Sequence, residues 1–250
     1  MRITRVGYQG RSYWADGDGE RILLLDWELR KVAQVTAQEV QPLPLLNPGK
    51  IVCVGLNYYA HAREMNKEVP DEPLLFLKPG SAVIGPGQPI YLPAQSSQVH
   101  YEGELAVVMG RLCRDASESG AKGFVLGYTC ANDVTARDLQ TKDGLYARAK
   151  GFDTFCPLGP VIQTGIEALQ DVGIKTTVDE EVVQSGRTSD MIASPMDLVS
   201  FISKIMTLHP GDVILTGTPP GVGPVQPGNE VCVEIEGIGR LSNPVRGRPA

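Results

Sequence analysis

The sequence predicts a mainly β, mixed architecture with few helices, and two observations carry this prediction. Glycine and proline are frequent, at 28 and 19 of the 250 residues, and they interrupt the chain along its whole length. Such punctuation favours many short strands and loops over long helices. Between these breaks stand short apolar or alternating runs, and the clearest repeat of apolar positions at helical spacing is at residues 195–208.

Charge, cysteine usage and hydropathy argue against several classes of protein. The formal net charge is -6 and no basic run is present, so we expect neither nucleic acid nor a membrane as partner. No apolar run approaches the ~20 residues of a membrane span, and the N-terminal sequence MRITRVGYQG has no apolar signal core. Five scattered cysteines without a CxxC pair indicate buried free thiols in a reducing compartment. These observations predict a cytoplasmic protein.

The beginning of the chain is predicted to form a small β region. Three short runs have the composition of strands, at residues 2–8, 11–14 and 20–26, with DGDGE at 16–20 as a hairpin-type turn. Three prolines in QPLPLLNPGK, residues 41–50, indicate a boundary. We therefore predict an N-terminal β region over residues 1–48 and a larger domain over residues 49–250.

A candidate acid–base pair follows the first strand of the larger domain. IVCVG, residues 51–55, is predicted as a buried strand, and Asn57 is a candidate N-cap for a short helix after it. On that helix His61 and Glu64 are three residues apart and share a face. A carboxylate beside a histidine can orient the ring and hold its proton, as a general base requires. The alternative is an exposed surface pair. Residues 57–73 could form a mobile flap.

The segment VHYEGELAVVM, residues 99–109, is the centre of the functional prediction. Alternation places Glu102 and Glu104 on one face of a strand that is apolar on both faces beyond Glu104. Two carboxylates so close raise each other's pKa unless a positive charge compensates them. A hard cation such as Mg2+, Mn2+ or Ca2+ favours these oxygen ligands. The alternative is a strand that reaches the surface early, with both glutamates in water.

Asp133 is a candidate third ligand. FVLGYTCAND, residues 124–133, is predicted as another buried strand, and it ends at Asp133 before residues 134–144, which have helical character. A carboxylate at this place could bind the same metal, or it could cap the following helix, and the two roles are compatible.

Two lysines are interpreted differently. Lys78 stands between an apolar strand and a turn, in the segment of residues 74–87, and we expect it to be a solvated strand end rather than a catalytic amine. Lys150 stands among small residues before a glycine and an apolar run. If Lys150 is buried, it needs an anionic partner.

The rest of the chain is predicted to contain a hairpin, a helix, and a strand that runs into a Gly/Pro loop, at residues 174–186, 195–208 and 212–224. The loop lacks the GK[ST] sequence of a P-loop, but its backbone amides and the hydroxyls of Thr216 and Thr218 could bind a carboxylate. Residues 231–241 are predicted as one final strand. Glu234 and Glu236 repeat the E-x-E pattern there, and we assign them to a solvent face.

Six segments stand in one order along the chain: GLNYYAHAREM (55–65), FLKPGSAVIGPG (76–87), VHYEGELAVVMG (99–110), NDVTARDLQ (132–140), AKGFDTFCPLGP (149–160) and GDVILTGTPPGVG (211–223). Together they closely resemble the fumarylacetoacetate hydrolase family, over roughly residues 50–245. This resemblance implies a rolled β-sandwich or barrel with few helices, and a homodimer.

The resemblance also implies roles for individual residues. Glu102, Glu104 and Asp133 would hold one Mg2+ or Mn2+ ion per subunit, with Lys150 as the catalytic-site lysine. His61 and Glu64 would be the catalytic pair, on a flap that orders over the substrate. The implied substrate contacts are Gln140, Thr218 and Gly217.

By this resemblance we expect a metal-dependent enzyme that acts on 2-oxo or 2-hydroxy-dienoic diacids through an enolate stabilised by the cation. Isomerisation or decarboxylation in aromatic catabolism comes first, as in 2-hydroxyhepta-2,4-diene-1,7-dioate isomerase and 5-oxopent-3-ene-1,2,5-tricarboxylate decarboxylase. The alternatives are C–C hydrolysis of an acylpyruvate or fumarylacetoacetate-type substrate, decarboxylation of oxaloacetate, and a catalytically silent protein that binds a metal and a 2-oxo acid. All the enzymatic routes share an enolate, so the sequence separates them poorly.

Overall fold

The computed structural model describes residues 1–17, 20–165 and 171–247, and this part of the chain is mainly β. The turn predicted at 16–20 lies partly outside the described residues. The strands are β1 Arg2–Tyr8, β2 Arg11–Asp16, β3 Ile22–Leu25, β4 Lys31–Val35, β5 Gln41–Pro42, β6 Ile51–Gly55, β7 Leu74–Lys78, β8 Val83–Ile84, β9 Ile90–Leu92, β10 Val99–Tyr101, β11 Gly103–Met109, β12 Val125–Asn132, β13 Thr135–Ala136, β14 Cys156–Gln163, β15 Gly173–Val178, β16 Glu181–Arg187, β17 Val213–Leu215, β18 Gly223–Pro224, β19 Glu230–Ile235 and β20 Gly239–Gly247. The α-helices are α1 Tyr59–Glu64, α2 Glu118–Ala121, α3 Arg137–Asp143, α4 Tyr146–Lys150 and α5 Pro195–Ile205.

Three sheets organise these strands. The large sheet has the order β4-β3-β2-β1-β14-β12-β11-β17-β6-β7, with β5 beside β1 and β8 beside β14. A three-stranded sheet has the order β13-β10-β18, and a five-stranded sheet has the order β16-β15-β19-β20-β9. Among the described residues none of these sheets closes on itself. The prediction of a mainly β fold with few helices is confirmed.

The N-terminal strands continue the large sheet rather than standing apart from it. β1 pairs antiparallel with β14 through Arg2 opposite Gln163 and Ile3 opposite Ile162. Ile3 and the indole of Trp14 also pack in the same apolar cluster as the central strands β6 and β17. The domain boundary between residues 48 and 49 therefore stays a prediction.

The segment at residues 99–109 forms two strands instead of the predicted one. β10 belongs to the three-stranded sheet and β11 to the large sheet, so the chain crosses between sheets at Glu102. The side-chain Oδ1 of Asn132 accepts a hydrogen bond from the Glu102 backbone N–H at 2.9 Å, which satisfies this amide outside either ladder. Beyond the crossing, every residue of β11 is buried, as its two apolar faces predict.

The final predicted strand at residues 231–241 is also wrong as one strand. It is a hairpin of β19 and β20, and Gly237 takes a left-handed backbone (φ +75°) in the turn between them. Glu234 and Glu236 keep 39% and 63% of their side-chain surface exposed. Their assignment to solvent is confirmed.

The helix predicted at residues 195–208 is α5, which ends earlier, at Ile205. Ser194 and Asp197 form a capping box at its start, and Leu198 and Ile202 bury its apolar face in the core. No helix within the described ranges has the length and apolar character needed to cross a membrane.

Candidate metal and acid–base site

Three buried carboxylates converge where two neighbouring strands of the large sheet meet the three-stranded sheet. Glu102 stands at the crossing between β10 and β11, Glu104 is the second residue of β11, and Asp133 directly follows β12. β11 and β12 are antiparallel, and the Asp133 backbone N–H donates to the Glu102 carbonyl at 2.8 Å. One oxygen from each carboxylate lies within 4.8 Å of the other two. Within the described ranges, no other trio of potential metal-ligating side chains comes together in this way.

Two buried lysines bind two of these carboxylates, Glu102 and Asp133. Lys150 Nζ donates to Glu102 Oε2 at 2.7 Å and to Asp133 Oδ2 at 2.5 Å, so the expected anionic partners of Lys150 are present. Lys78 Nζ donates to Asp133 Oδ1 at 2.7 Å and to the Val134 carbonyl at 3.1 Å. The interpretation of Lys78 as a solvated strand end is wrong, because its side chain is fully buried and Asp133 compensates its charge. The role of Asp133 as a helix cap is also not seen, since α3 has Ala136 as its N-cap.

Arg137 is a third cation that the sequence reasoning missed. It is the first residue of α3, and its Nη2 forms an ion pair with Glu102 Oε1. Its Nη1 donates to Gln140 Oε1 at 2.6 Å. Its position in the sequence could have identified it. Arg137 stands four residues after Asp133 and three before Gln140, inside the segment of residues 132–140 that resembles the family.

The two glutamates have opposite electrostatic surroundings. Burial raises the pKa of Glu102, but the charges of Lys150 and Arg137 outweigh it and hold this pKa well below its usual range. Burial, Asp133 and Glu102 together raise the pKa of Glu104 well above its usual range. Burial lowers the pKa of Lys150, but the charges of Asp133 and Glu102 outweigh it and raise this pKa above its usual value.

Glu104 is therefore the carboxylate that lacks a compensating positive charge. Its Oε2 accepts a hydrogen bond from the Gly217 backbone N–H at 2.7 Å, a neutral donor, and no ion pair joins Glu104 to a described residue. A bound divalent cation would supply the missing charge, and three carboxylates suit a hard cation that prefers oxygen ligands. The residues present fit one Mg2+ or Mn2+ ion.

The histidine–glutamate pair lies on α1 beside this cluster. His61 is buried, and its Nδ1 lies 3.0 Å from Glu64 Oε2. A carboxylate at Nδ1 keeps the proton on that nitrogen and leaves Nε2 free to exchange a proton. Glu64 Oε1 also accepts a hydrogen bond from the Gly221 backbone N–H at 2.9 Å. The alternative of an exposed surface pair is therefore not what the structure shows for His61.

The Gly/Pro loop after β17 packs against the same cluster. Gly217 takes a left-handed backbone (φ +96°), and a Cβ there would lie 2.8 Å from Asn57 Cβ. Thr218 Oγ1 donates to the Gly103 carbonyl at 2.9 Å and accepts from Gln184 Nε2 at 2.8 Å. Because the hydroxyl proton of Thr218 is already used inside the protein, a substrate contact through this hydroxyl stays a prediction.

Asn57 does not cap α1 as the sequence suggested. Tyr58 is the N-cap, and the buried Asn57 amide instead donates to the carbonyls of Ala193 and Thr216 at 2.9 and 2.8 Å. Asn57 thereby ties the start of the predicted flap to the base of the Gly/Pro loop.

One cavity joins these groups. Its lining includes His61, Phe76, Glu102, Glu104, Asp133, Arg137, Gln140, Tyr146, Lys150 and Thr218. The structure therefore brings together the residues that the sequence nominated: seven of them line this cavity, Glu64 contacts one of these seven, and Gly217 contacts another. Their individual roles remain predictions.

The model of the fumarylacetoacetate (FAA) hydrolase C-terminal family matches residues 50–246. Among solved structures, 5-carboxymethyl-2-hydroxymuconate delta-isomerase from Mycobacterium smegmatis is 45% identical, with a TM-score of 0.87 over 100% of both chains. The 2-hydroxyhepta-2,4-diene-1,7-dioate isomerase from Mycobacterium marinum is 41% identical, with a TM-score of 0.86 over 100% of both chains. Fumarylpyruvate hydrolase from Pseudomonas aeruginosa, solved with Mn2+ and pyruvate, is 33% identical, with a TM-score of 0.77 over 85% of this chain and 93% of that one.

A relative found by sequence comparison is named for a third reaction, the tautomerisation of oxaloacetate. The mitochondrial oxaloacetate tautomerase fahd2 of Xenopus laevis is 44% identical over 81% of this chain and 67% of its own length. Proteins similar to this chain thus include isomerases, a hydrolase and a tautomerase. The chain belongs to the fumarylacetoacetate hydrolase family, as its motifs and its fold both indicate.

Proposed function

We propose that this protein is a divalent-metal-dependent enzyme that moves a proton on a 2-oxo or 2-hydroxy-dienoic diacid, in an isomerisation or tautomerisation. One observation carries the proposal: a single cavity holds three buried carboxylates together with His61, whose Nδ1 is bound by Glu64. The similar isomerases and the oxaloacetate tautomerase support this choice.

Glu102, Glu104 and Asp133 would hold the cation. A divalent cation held there would supply Lewis-acid stabilisation of negative charge on a substrate oxygen. Three carboxylate ligands would leave it able to accept substrate oxygens as well. Both Mg2+ and Mn2+ accept oxygen ligands, and Mn2+ is present in the similar fumarylpyruvate hydrolase structure.

The proton transfer is assigned to His61. With its Nδ1 proton held by Glu64, the ring can accept a proton at Nε2 and return it to another carbon or oxygen of the substrate. Lys150 and Arg137 line the cavity and are paired with its carboxylates, so a cation bound to these carboxylates would leave net positive charge there, which suits a substrate with two carboxylates. Gln140, held by Arg137, is a further candidate contact.

The proposal is tested with oxaloacetate and diamagnetic Mg2+ in D2O, where proton NMR follows deuterium entry at the carbon beside the keto group. We expect exchange and enol–keto conversion well above the rates with chelator-treated protein or Mg2+ alone. Slow exchange with every metal tried would exclude oxaloacetate tautomerisation as the activity of this protein. A panel of unsaturated 2-hydroxy diacids would then test whether the protein is an isomerase. Release of CO2 in the same samples measures the decarboxylation alternative.

A thermal melt separates an enzyme from a silent binding protein. Chelator-treated protein is melted alone, with Mn2+, with oxalate, and with both, because oxalate resembles the head group of a 2-oxo acid. We expect both together to raise the melting temperature beyond the sum of the separate effects. A synergistic rise without turnover of any substrate would favour the silent binding protein.

C–C hydrolysis is the second candidate, and the similarity to fumarylpyruvate hydrolase is the observation that favours it. The same His61–Glu64 pair would then activate a water molecule. Pyruvate released from an acylpyruvate at a rate above enol–keto exchange would place hydrolysis first.

The homodimer is likewise a proposal, and analytical ultracentrifugation tests it.

A further inference from the structure

Glu64 connects the flap helix α1 to the Gly/Pro loop. One carboxylate oxygen accepts from the Gly221 N–H, and the other lies against His61 Nδ1. α1 has six residues and therefore few backbone hydrogen bonds of its own, so it is marginal as an isolated helix. The position of the imidazole consequently depends on what holds Glu64.

Gly221 is shaped for this contact. Its φ of +102° favours glycine, and a Cβ there would lie 2.2 Å from the Val183 carbonyl oxygen. Its own carbonyl accepts a hydrogen bond from the Tyr101 hydroxyl at 2.8 Å. Both backbone groups of Gly221 are thus engaged, the N–H by the flap and the carbonyl by Tyr101.

Tyr101 is a buried side chain that supports Gly221. Its side chain is buried in an apolar cluster with Val99, Val134 and Val225, and it is the last residue of β10, directly before Glu102. The chain of contacts Tyr101, Gly221, Glu64, His61 therefore links the acid–base pair to the strand that delivers the first carboxylate.

We infer that Tyr101 is a positioning residue for the His61–Glu64 pair. Its hydroxyl fixes the backbone of Gly221, Gly221 fixes the Glu64 carboxylate, and Glu64 orients the imidazole beside the three carboxylates. The inference rests on the proposed function, in which His61 transfers the proton.

The first test is Tyr101→Phe, which keeps the buried ring and removes one hydroxyl. Loss of one hydrogen bond in the chain is expected to lower kcat about two- to tenfold, with KM and the Mn2+–oxalate melting shift unchanged. Tyr128→Phe is the matched control, because Tyr128 is a buried tyrosine of a different apolar cluster. An unchanged kcat in Tyr101→Phe, or an equal loss in the control, overturns the inference.

A double variant separates positioning from a structural effect. In a Glu64→Ala background the hydroxyl has no carboxylate to position, so adding Tyr101→Phe is expected to leave kcat unchanged. If Tyr101→Phe lowers kcat by the same factor in both backgrounds, the hydroxyl acts elsewhere and the inference fails.

Hydrogen exchange gives a readout that needs no substrate. In Tyr101→Phe we expect about two- to tenfold faster amide exchange at Gly221 and across α1, with exchange in α5 unchanged. Faster exchange in a protein that turns over no substrate would support the contact chain while the proposed function fails. Unchanged exchange at Gly221 would overturn the positioning role whatever the activity.

Discussion

The chain contains the E-x-E pattern twice, and the two copies have opposite surroundings. Glu102 and Glu104 are buried where β10 passes into β11 and face other charges across a cavity. Glu234 and Glu236 lie at the end of a hairpin strand and are partly exposed. The pattern alone therefore does not make a metal site, and the difference comes from what the fold brings opposite each pair.

The partners of the two pairs show the difference most directly. Glu234 lies 3.0 Å from Lys175 Nζ, a half-exposed surface ion pair of the kind that contributes little to stability. Glu102 is held by Lys150 and Arg137 inside the protein, whereas Glu104 forms no ion pair with any residue that the structure describes. Only the buried pair thus contains a desolvated carboxylate, Glu104, that lacks an ion pair among the described residues, and a bound cation would compensate its charge.

The largest expected difference between the pairs is in activity. Glu104→Gln keeps an acceptor for the Gly217 N–H but removes a ligand charge, so we expect metal-dependent turnover to fall by about 10³-fold or more. Glu234→Gln is the matched control and should leave turnover unchanged. The measurement is initial rate against Mn2+ concentration. Full activity in Glu104→Gln would exclude this carboxylate from the metal site.

Replacing each of two histidines by alanine separates metal binding at the buried carboxylates from proton transfer. His61→Ala is expected to lower turnover about 10²-fold, within the usual range for a general acid–base group, and to leave the Mn2+–oxalate melting shift intact. His209→Ala changes an exposed turn residue and serves as the control. Wild-type turnover in His61→Ala would end the role proposed for this histidine.

Replacing a lysine beside each E-x-E pair tests how much each ion pair contributes to the free energy of unfolding. Lys78→Met leaves buried Asp133 without its Oδ1 partner, and we expect a loss of about 3 kcal/mol in the free energy of unfolding. Lys175→Met removes an exposed partner of Glu234 and should cost at most about 0.5 kcal/mol. Urea unfolding of metal-free protein measures both. Equal, small losses would mean that Asp133 is compensated without Lys78.

The smallest expected effect is a pH dependence of the metal-free protein. Because the pKa of Glu104 is raised by burial, Asp133 and Glu102, the folded state holds this proton to a higher pH than the unfolded chain does. Stability from this group is present at low pH and is lost as pH rises above the usual glutamate pKa of about 4.3.

Glu104→Gln lacks that titration. In the presence of chelator, the melting temperature of this variant should therefore rise by a few degrees relative to that of the wild type as the pH is raised from about 5 to about 8. With saturating Mn2+ and oxalate the wild type should instead have the higher melting temperature, because the cation stabilises ionised Glu104. A wild-type advantage that is constant with pH would contradict the raised pKa.

Part of the site could be predicted because the local sequence pattern indicates which strands are buried and where they end. Burial of β11 followed from its two apolar faces, and the placement of Asp133 followed from its position at the end of a buried strand. The E-x-E pattern alone does not identify Glu102 and Glu104 as metal ligands. The resemblance of six segments to a known family makes that prediction, because the ligand set depends on contacts between distant segments that spacing within one strand does not contain.

The missed features share a physical cause. Lys78 looked like a strand end in water because its partner, Asp133, is 55 residues away in sequence. The break at Glu102 depends on Asn132, and the turn at Gly237 looked like strand continuation because apolar residues stand on both sides. In each case a tertiary contact or a backbone reversal overrode a locally consistent pattern.

The crossing at Glu102 has a consequence for how the protein folds. The carboxylates reach the cavity from the junction of two sheets, while their cations come from a sheet edge and from two short helices. A site assembled from segments that are separated along the chain can bind a cation only after those segments have docked. A Mn2+ signal in a refolding experiment would therefore report when this junction assembles.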